Sequence, residues 1–510
     1  MLILLILLTA LASLPPLLTA AHLWQIKEWR WDRLREHFRS EGLLRQIFGT
    51  LRPLMLVLTL PFLWLSWLSP QTWTISSLTL LTLLGLAQII LDRQPMPKWT
   101  MKSLTLTAGA TALSLVTALF LLYAEHGFIA LPFHPLLQPF FLVVAWIIFR
   151  PLDLFLKRRV LQRAQILREQ HPDLIVIGIT GSVGKTTTKE LLMHILQSRG
   201  AASTPAYVNT EMGVAQWLTT TLSKPEVSGI LIVEMGAYKQ GEIALLCRVT
   251  KPTIGVITFI GTQHIALFGS QEKLLTTKAE LFDALPGDGI AILNSDSPFA
   301  DTLKAKAHCS LMTVSTGERA DLCAIDIEEM PMGIHFRAGD AVFNVPLHGT
   351  HNVSNILLAV AAAESLGMKR RDIARILSDF QPPKHTFSVR AESGITLLDD
   401  THNASAASFK AAIGWAKGQP MEEKVLLTSG LIELGESEDR THAELGMEAA
   451  GIFDRVIFTH PRHSRSFAQG FGKPVEIVDR DVQPVHRNAL LVCIGRVPEE
   501  TVKRLMLGGA

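Results

Sequence analysis

Residues 178–190 read GITGSVGKTTTKE, and the fold turns on how they are read. The run that leads in, LIVIGIT (174–180), is short and apolar; the run that leads out, KELLMHILQSRG, has helical spacing and closes at Gly200. Strand, glycine-bearing loop and helix in that order form a cradle for phosphate, because loop N–H groups and the helix N-terminus both point at the anion. On this reading Gly181, Ser182, Val183, Gly184 and Thr187 line a nucleotide's phosphates. Lys185 neutralises the β and γ oxygens, and Thr186 offers its hydroxyl to magnesium. The position five before Gly184 is Ile179, so the loop is a compact TGSxGKTT version of the general GxxxxGK[ST] pattern.

Downstream, GILIVEMGA (229–237), TIGVITFI (253–260) and GIAILNSD (289–296) are apolar runs that each end in polar or small residues. In a parallel α/β sheet those C-terminal ends form the ligand crevice, which brings Glu234, His264 and Asn294 toward the loop. A second alternation of strands and helices follows a QPPKH hinge (381–385), with strands within GITLLDDTHNA (394–404), KVLLTSGLIELG (424–435), RVIFTH (455–460) and ALLVCIG (489–495). GxGxxG does not occur, which argues against a nicotinamide site.

Upstream the composition changes. Five stretches, near 1–23, 53–69, 74–92, 103–123 and 137–156, are apolar enough to cross about 30 Å of hydrocarbon. The connecting segments alternate: basic after the first, third and fifth, and free of Lys and Arg after the second and fourth. That alternation predicts a multi-pass protein of the inner or plasma membrane, with its N-terminus outside and residues 157 onward in the cytoplasm. No stretch carries Asp, Glu, Lys or Arg near its centre, so an anchor is favoured over an ion or substrate path. WQIKEWRWDRLREHFR (24–39) mixes Trp with Arg as an interfacial helix does.

The fold class is therefore an α-helical transmembrane region followed by two α/β domains, one of phosphate-loop ATPase type and one Rossmann-like. The expected limits are 1–160, 170–383 and 386–510. With 510 residues, roughly two to four domains fit the length. A net charge of +2 gives no reason to expect a nucleic-acid partner. The four cysteines have neither CxxC nor zinc spacing and read as free thiols.

Over residues 175–450 the motifs together resemble the Mur ligases, ATP-dependent amide-forming enzymes of peptidoglycan precursor synthesis. The matching pieces are TGSVGKTTTKE (180–190), VNTEMGV (208–214), EMGAYKQGEIALL (234–246), GTQHIALFGS (261–270), TKAELFDAL (277–285), LHGTHNVSNILLAVAAAESLG (347–367), LLDDTHNAS (397–405) and GLIELGESEDRTHAELG (430–446). The last leans to the branch that adds D-alanyl-D-alanine.

The resemblance implies roles. Lys185 and Thr186 would hold the ATP phosphates and a first magnesium, with Glu234 as metal ligand. His264 would hold a second magnesium with Lys278, carbamylated so that an ammonium becomes an oxygen ligand. Asn352 and Asn355 would meet the adenine, and Arg390 and Asp400 would reach the nucleotide after domain closure. Asn209, Thr210, His402 and Asn403 would handle the acceptor peptide and the incoming amine. The catalytic set is thus Lys185, Lys278, His264 and Arg390. The implied reaction converts a peptide carboxylate of a UDP- or lipid-linked cell-wall precursor to an acyl phosphate, which the amine of an amino acid or dipeptide attacks.

The sequence departs from the family in places. Membrane stretches stand where the family has a UDP-binding domain, Val389 stands where a glycine is expected before Arg390, and DDTHNAS replaces DDSYNAN. Those departures leave open another amide, on a membrane-held or polyglutamate-like substrate. A nucleotide-driven transporter or sensor is the alternative from a different class.

Overall fold

The computed structural model describes residues 1–507 apart from 50, 65–68, 92, 225–228, 262–267, 269, 318, 331, 402–404, 432–436 and 479–482. The chain forms two compact units, Met1–Arg158 and Arg159–Ala510.

The first unit is helical. Leu2–Ile26, Pro70–Ile90, Met101–Tyr123 and the stretch Gly127–Glu169 are long and apolar enough to cross a membrane. The span expected near 53–69 is described only as the 14-residue helix Leu51–Trp64, since 65–68 lie outside the described residues. The Trp/Arg stretch is not one helix. The first helix stops at Ile26, Glu28 and Trp29 take φ of 56° each, and a new helix runs Trp31–Glu41. Aromatic packing accounts for the break: Trp24 lies 5.2 Å from Trp146, and Trp146 Nε1–H donates to Trp29 O at 3.2 Å.

Buried polar groups knit these helices where apolar contact alone distinguishes poorly between neighbours. His134, on the 3-10 segment Gly127–Leu137, donates from Nε2 to Ser114 O at 3.0 Å and meets Ser13 Oγ through Nδ1 at 3.2 Å. Gln138 Nε2 donates to Ser114 Oγ at 3.0 Å. The sequence reading weighed only Asp, Glu, Lys and Arg here and so passed over His134.

In the second unit, β1 (Ile175–Thr180), β2 (Ala201–Ser203), β3 (Ile230–Glu234), β4 (Ile254–Ile257), β5 (Ile290–Asn294), β6 (Ser310–Ser315) and β7 (Leu322–Cys323) form a parallel sheet in the order β2-β3-β1-β4-β5-β6-β7. Its inner strands are apolar on both faces because helices cover both. The chain reverses its direction of travel at β1, so the crevice beyond β3, β1 and β4 is the switch point where ligands bind such sheets. The helix Asn352–Ser365, with eleven buried residues and many alanines, packs against the helix Lys185–Leu196 that leaves the phosphate loop. A small antiparallel sheet of β8 (Ile325–Met330), β9 (Gly333–Ala338) and β10 (Ala341–Val345) adjoins it in sequence.

A second sheet has the order β11-β12-β16-β13-β14-β15, from β11 (Ser388–Glu392), β12 (Ile395–Asp400), β13 (Lys424–Thr428), β14 (Arg455–Phe458), β15 (Glu476–Ile477) and β16 (Leu490–Ile494). Only β11 runs antiparallel to its neighbour.

Arg168 ties residues 159–169 to the segments that lead into β1 and β4. Its buried guanidinium donates to Thr250 O (2.8 Å), Leu174 O (3.0 Å) and His171 O (2.5 Å). Arg168→Met fills similar volume but strands these carbonyls. It is expected to cost about 3 kcal/mol, read as a lower urea midpoint for the α/β unit by circular dichroism; an unchanged midpoint would contradict this anchoring.

Candidate functional site

The phosphate loop is held open by its neighbours. Ser182 N–H and Val183 N–H both donate to Phe259 O, at 2.9 and 3.3 Å, and Thr258 Oγ1 donates to Val183 O at 2.6 Å. Gly184 has φ +87°, and a Cβ there would run into Asn355 Oδ1. Both constraints select glycine, one by backbone conformation and one by space. Asn355 is itself fixed, donating from Nδ2 to Asn352 Oδ1 at 2.8 Å, while Asn352 Nδ2 donates to His348 O at 2.8 Å. These two asparagines thus buttress the loop. Thr187, in the first helical turn, is buried, and Ser182 Oγ is buried with no hydrogen-bond partner, a polar atom open to a ligand.

Lys185 folds back over the loop, its Nζ donating to Gly181 O (2.8 Å) and Ser182 O (3.1 Å). One residue on, Thr186 Oγ1 donates to Glu234 Oε2 at 3.0 Å. Glu234 closes β3, with its carboxylate also taking Asn209 Nδ2–H on Oε1 at 3.1 Å and its N–H bonded to Thr204 Oγ1 at 3.1 Å. Lys189, one turn beyond Thr186 on the same helix, has no exposed side chain and places Nζ 3.8 Å from Glu234 Oε2.

Lys278 lies on the helix Gln271–Asp283 and is buried. Burial first, and the nearby Lys185 second, push its amine down to about 7, against the pull of Glu242, Glu280 and Glu234. Near neutrality a large share of this amine is unprotonated, which is the nucleophilic form. Thr210 occupies the N-cap position of the helix Glu211–Leu222 in extended conformation. Asn294 turns inward, its Oδ1 accepting Asp296 N–H at 2.9 Å. His264, His402 and Asn403 lie outside the described residues.

In the second sheet, Asp400 is buried at the end of β12, its Oδ1 accepting Phe387 N–H at 3.3 Å and its Oδ2 without a partner. Burial raises its carboxyl to about 6. Arg390 on β11 is held by Glu392 (3.0 Å) and Asp399 Oδ2 (3.1 Å). Asp399 also gathers His385 Nδ1 at 3.0 Å and Thr401 Oγ1–H at 2.7 Å. The sequence reading passed over Lys189 and Asp399, yet a signal for each was present. Lys189 is one helical turn from Thr186, and Asp399 alternates with Asp400 on a strand, so the two carboxylates face opposite sides.

The donor set suits magnesium. Thr186 Oγ1 and the Glu234 carboxylate are hard oxygens beside each other at the switch point. Among the described residues no group of three His, Cys, Asp or Glu converges, so phosphate oxygens and water would complete the ion's shell.

A phosphate loop at the switch point of a parallel sheet, followed by a Rossmann-like domain, defines a nucleotide-binding α/β architecture of two sheets. Comparison with known proteins narrows it further. The Mur ligase middle domain matches residues 179–363. The UDP-N-acetylmuramoyl-tripeptide–D-alanyl-D-alanine ligase of Bacillus subtilis (strain 168) is 33% identical over 307 residues, 59% of this chain and 66% of that protein. The ligase of the same name from Escherichia coli (strain K12) is 30% identical over 350 residues, 64% of this chain and 76% of that one. The crystal structure of MurF ligase from Thermotoga maritima in complex with ADP superposes with a TM-score of 0.59 at 26% identity, covering 68% of this chain and 83% of that one. The chain belongs to the Mur ligase family. It spans just under two thirds of the length of the Bacillus relative.

The Lys278 geometry makes a signed pH prediction. An amine near 7 in the folded state and about 10.4 in the unfolded chain binds fewer protons when folded throughout that window. Stability from this residue therefore rises with pH between about 7 and 10, at up to about 1.4 kcal/mol per unit. Urea titrations at pH 7, 8 and 9 should show that rise flattened in Lys278→Met; parallel curves would refute the low amine pKa.

Proposed function

We propose that this protein is an ATP-dependent, ADP-forming acid–amino-acid ligase of cell-wall precursor synthesis. It would activate the carboxylate of a muramoyl peptide as an acyl phosphate and pass it to an amine, with D-alanyl-D-alanine as the favoured donor. The observation that carries this reading is the meeting of the phosphate loop with Glu234, where Thr186 Oγ1 and the carboxylate stand 3.0 Å apart. Support for the donor comes from relatives about 30% identical whose names specify D-alanyl-D-alanine addition.

In this reading residues 170–383 form the ATP-binding domain and 386–510 the domain that closes on it. Gly181 to Thr187 would hold the phosphates, and Thr186 and Glu234 would hold a first magnesium. Lys278, as a carbamate, and His264 would hold a second. Magnesium, when bound, supplies charge stabilisation to the phosphoryl group in transfer. Lys185 leaves its loop carbonyls to meet that same charge. Asn352 and Asn355 keep the loop in shape beside the adenine side. Arg390 and Asp400 approach the nucleotide on closure, which excludes water from the acyl phosphate. Asn209, Thr210, His402 and Asn403 would handle the acceptor and the amine.

Among the described residues, four helices long and apolar enough to cross a membrane favour a second form of the reading, in which the acceptor is membrane-held. The protein would then sit in the inner or plasma membrane with its N-terminus outside and residues 170–510 in the cytoplasm.

Phosphate release from ATP by the full chain in detergent is expected only when both a peptide acceptor and an amine are present. Release at the same rate without acceptor would exclude a ligase. UDP-linked and lipid-linked acceptors tested side by side separate the two forms. Lys278→Ala should lower turnover at least about 100-fold and regain part of it with a small added carboxylate; full activity in that variant would remove the carbamate. Gly184→Ala should abolish ADP binding by calorimetry, whereas Gly200→Ala, at φ +69° in open space, should leave it intact.

A further inference from the structure

Glu234 is crowded by amines. The side chain of Lys189 is fully buried, and its Nζ is fixed from three sides, by Thr204 O at 2.9 Å, Glu190 Oε1 at 3.0 Å and Glu234 Oε2 at 3.8 Å. Lys185 and Lys278 both feel the Glu234 charge as well. The other nearby carboxylates, Glu242 and Glu280, act on Lys278 and are oriented by backbone N–H donors, Tyr238 and Lys239 for Glu242 and Gly241 and Ala244 for Glu280, which leaves Lys189 as the amine fixed against Glu234. Glu190 is one-third exposed, so solvent weakens its share.

A divalent ion at Glu234 would stand beside an ammonium that cannot swing away. Both lie where water screens little, so the repulsion is strong. A nucleotide changes the sign of the balance, since its phosphates bring several negative charges to the same few ångströms. We propose that Lys189 serves as the resident counter-cation of Glu234 in the nucleotide-free protein, turning away free divalent metal so that magnesium enters only together with phosphate. Lys189 is then a positioning residue that sets the order of binding. The proposal rests on the reading of Glu234 as a magnesium ligand.

A purely structural lysine and this one differ in the sign of what its loss does. Removing a structural prop weakens every ligand; removing a counter-cation lets metal in. The test is Mn²⁺ titration of the full chain in detergent, followed by electron paramagnetic resonance of the free ion, with and without ADP. Wild type is expected to bind Mn²⁺ at this site only with ADP present. Lys189→Met should bind it without ADP, at least about ten-fold more tightly than wild type. Lys189→Arg should behave as wild type, and adding Glu234→Gln to Lys189→Met should erase the gain. Micromolar Mn²⁺ binding by wild type without ADP, or no gain in a folded Lys189→Met, overturns the proposal. If circular dichroism shows that Lys189→Met does not fold, the wild-type titration decides alone. ADP binding by wild type with magnesium present tests the nucleotide reading separately. Its loss removes both readings, whereas ADP binding alongside ADP-independent metal removes only the role of Lys189.

Discussion

The carboxylate of Glu234 is the point on which the site depends. It ends β3, receives the hydroxyl of Thr186 from the phosphate-loop helix and the amide of Asn209 from the segment before the next helix, and faces the buried Lys189. A carboxylate this deep is tolerable only when its lone pairs are used and its charge is answered. Thr186 and Lys189 share the phosphate-loop helix and Asn209 comes from a separate stretch, so satisfying one group fixes the relative positions of β3, that helix and the segment before the next one. The same arrangement sets two hard oxygen donors side by side, so the constraint that stabilises the fold also builds the site.

The second constraint is spatial. Gly184 admits no side chain because Asn355 already occupies that direction, and Asn355 belongs to a helix some 170 residues further along the chain. Asn352, His348 and the alanine-rich face of that helix keep Asn355 in place. The loop owes its shape to this distant helix and to Thr258 and Phe259, as much as to its own glycines.

The apolar unit follows a different logic. Its helices are apolar nearly all round, so apolar contact distinguishes poorly among neighbours and buried hydrogen bonds specify them. His134, Ser13, Ser114 and Gln138 supply that specificity from four separate segments. The turn at Lys27–Arg30 shows packing overriding local preference. A stretch with helical amphipathy breaks there because Trp24 and Trp29 both close on Trp146.

Much of this was legible in the sequence. The phosphate loop, the strands that flank it and the apolar third are local patterns, set by periodicity and by glycines at fixed spacing, and such patterns survive in one dimension. The roles proposed for Glu234 and Lys278 rest on resemblance. Strand order, the small antiparallel sheet, the pairing of Arg390 with Asp399 and the placing of Asn355 against Gly184 were not legible. Each is a contact between residues whose separation in sequence carries no periodic signal. The low pKa of the Lys278 amine belongs to the same class: the sequence supplies a lysine, and only tertiary burial beside Lys185 brings it to about 7. Sequence alone determined which chemical groups this protein has and the local elements that carry them. Tertiary structure decided which groups meet, because burial and charge act through space.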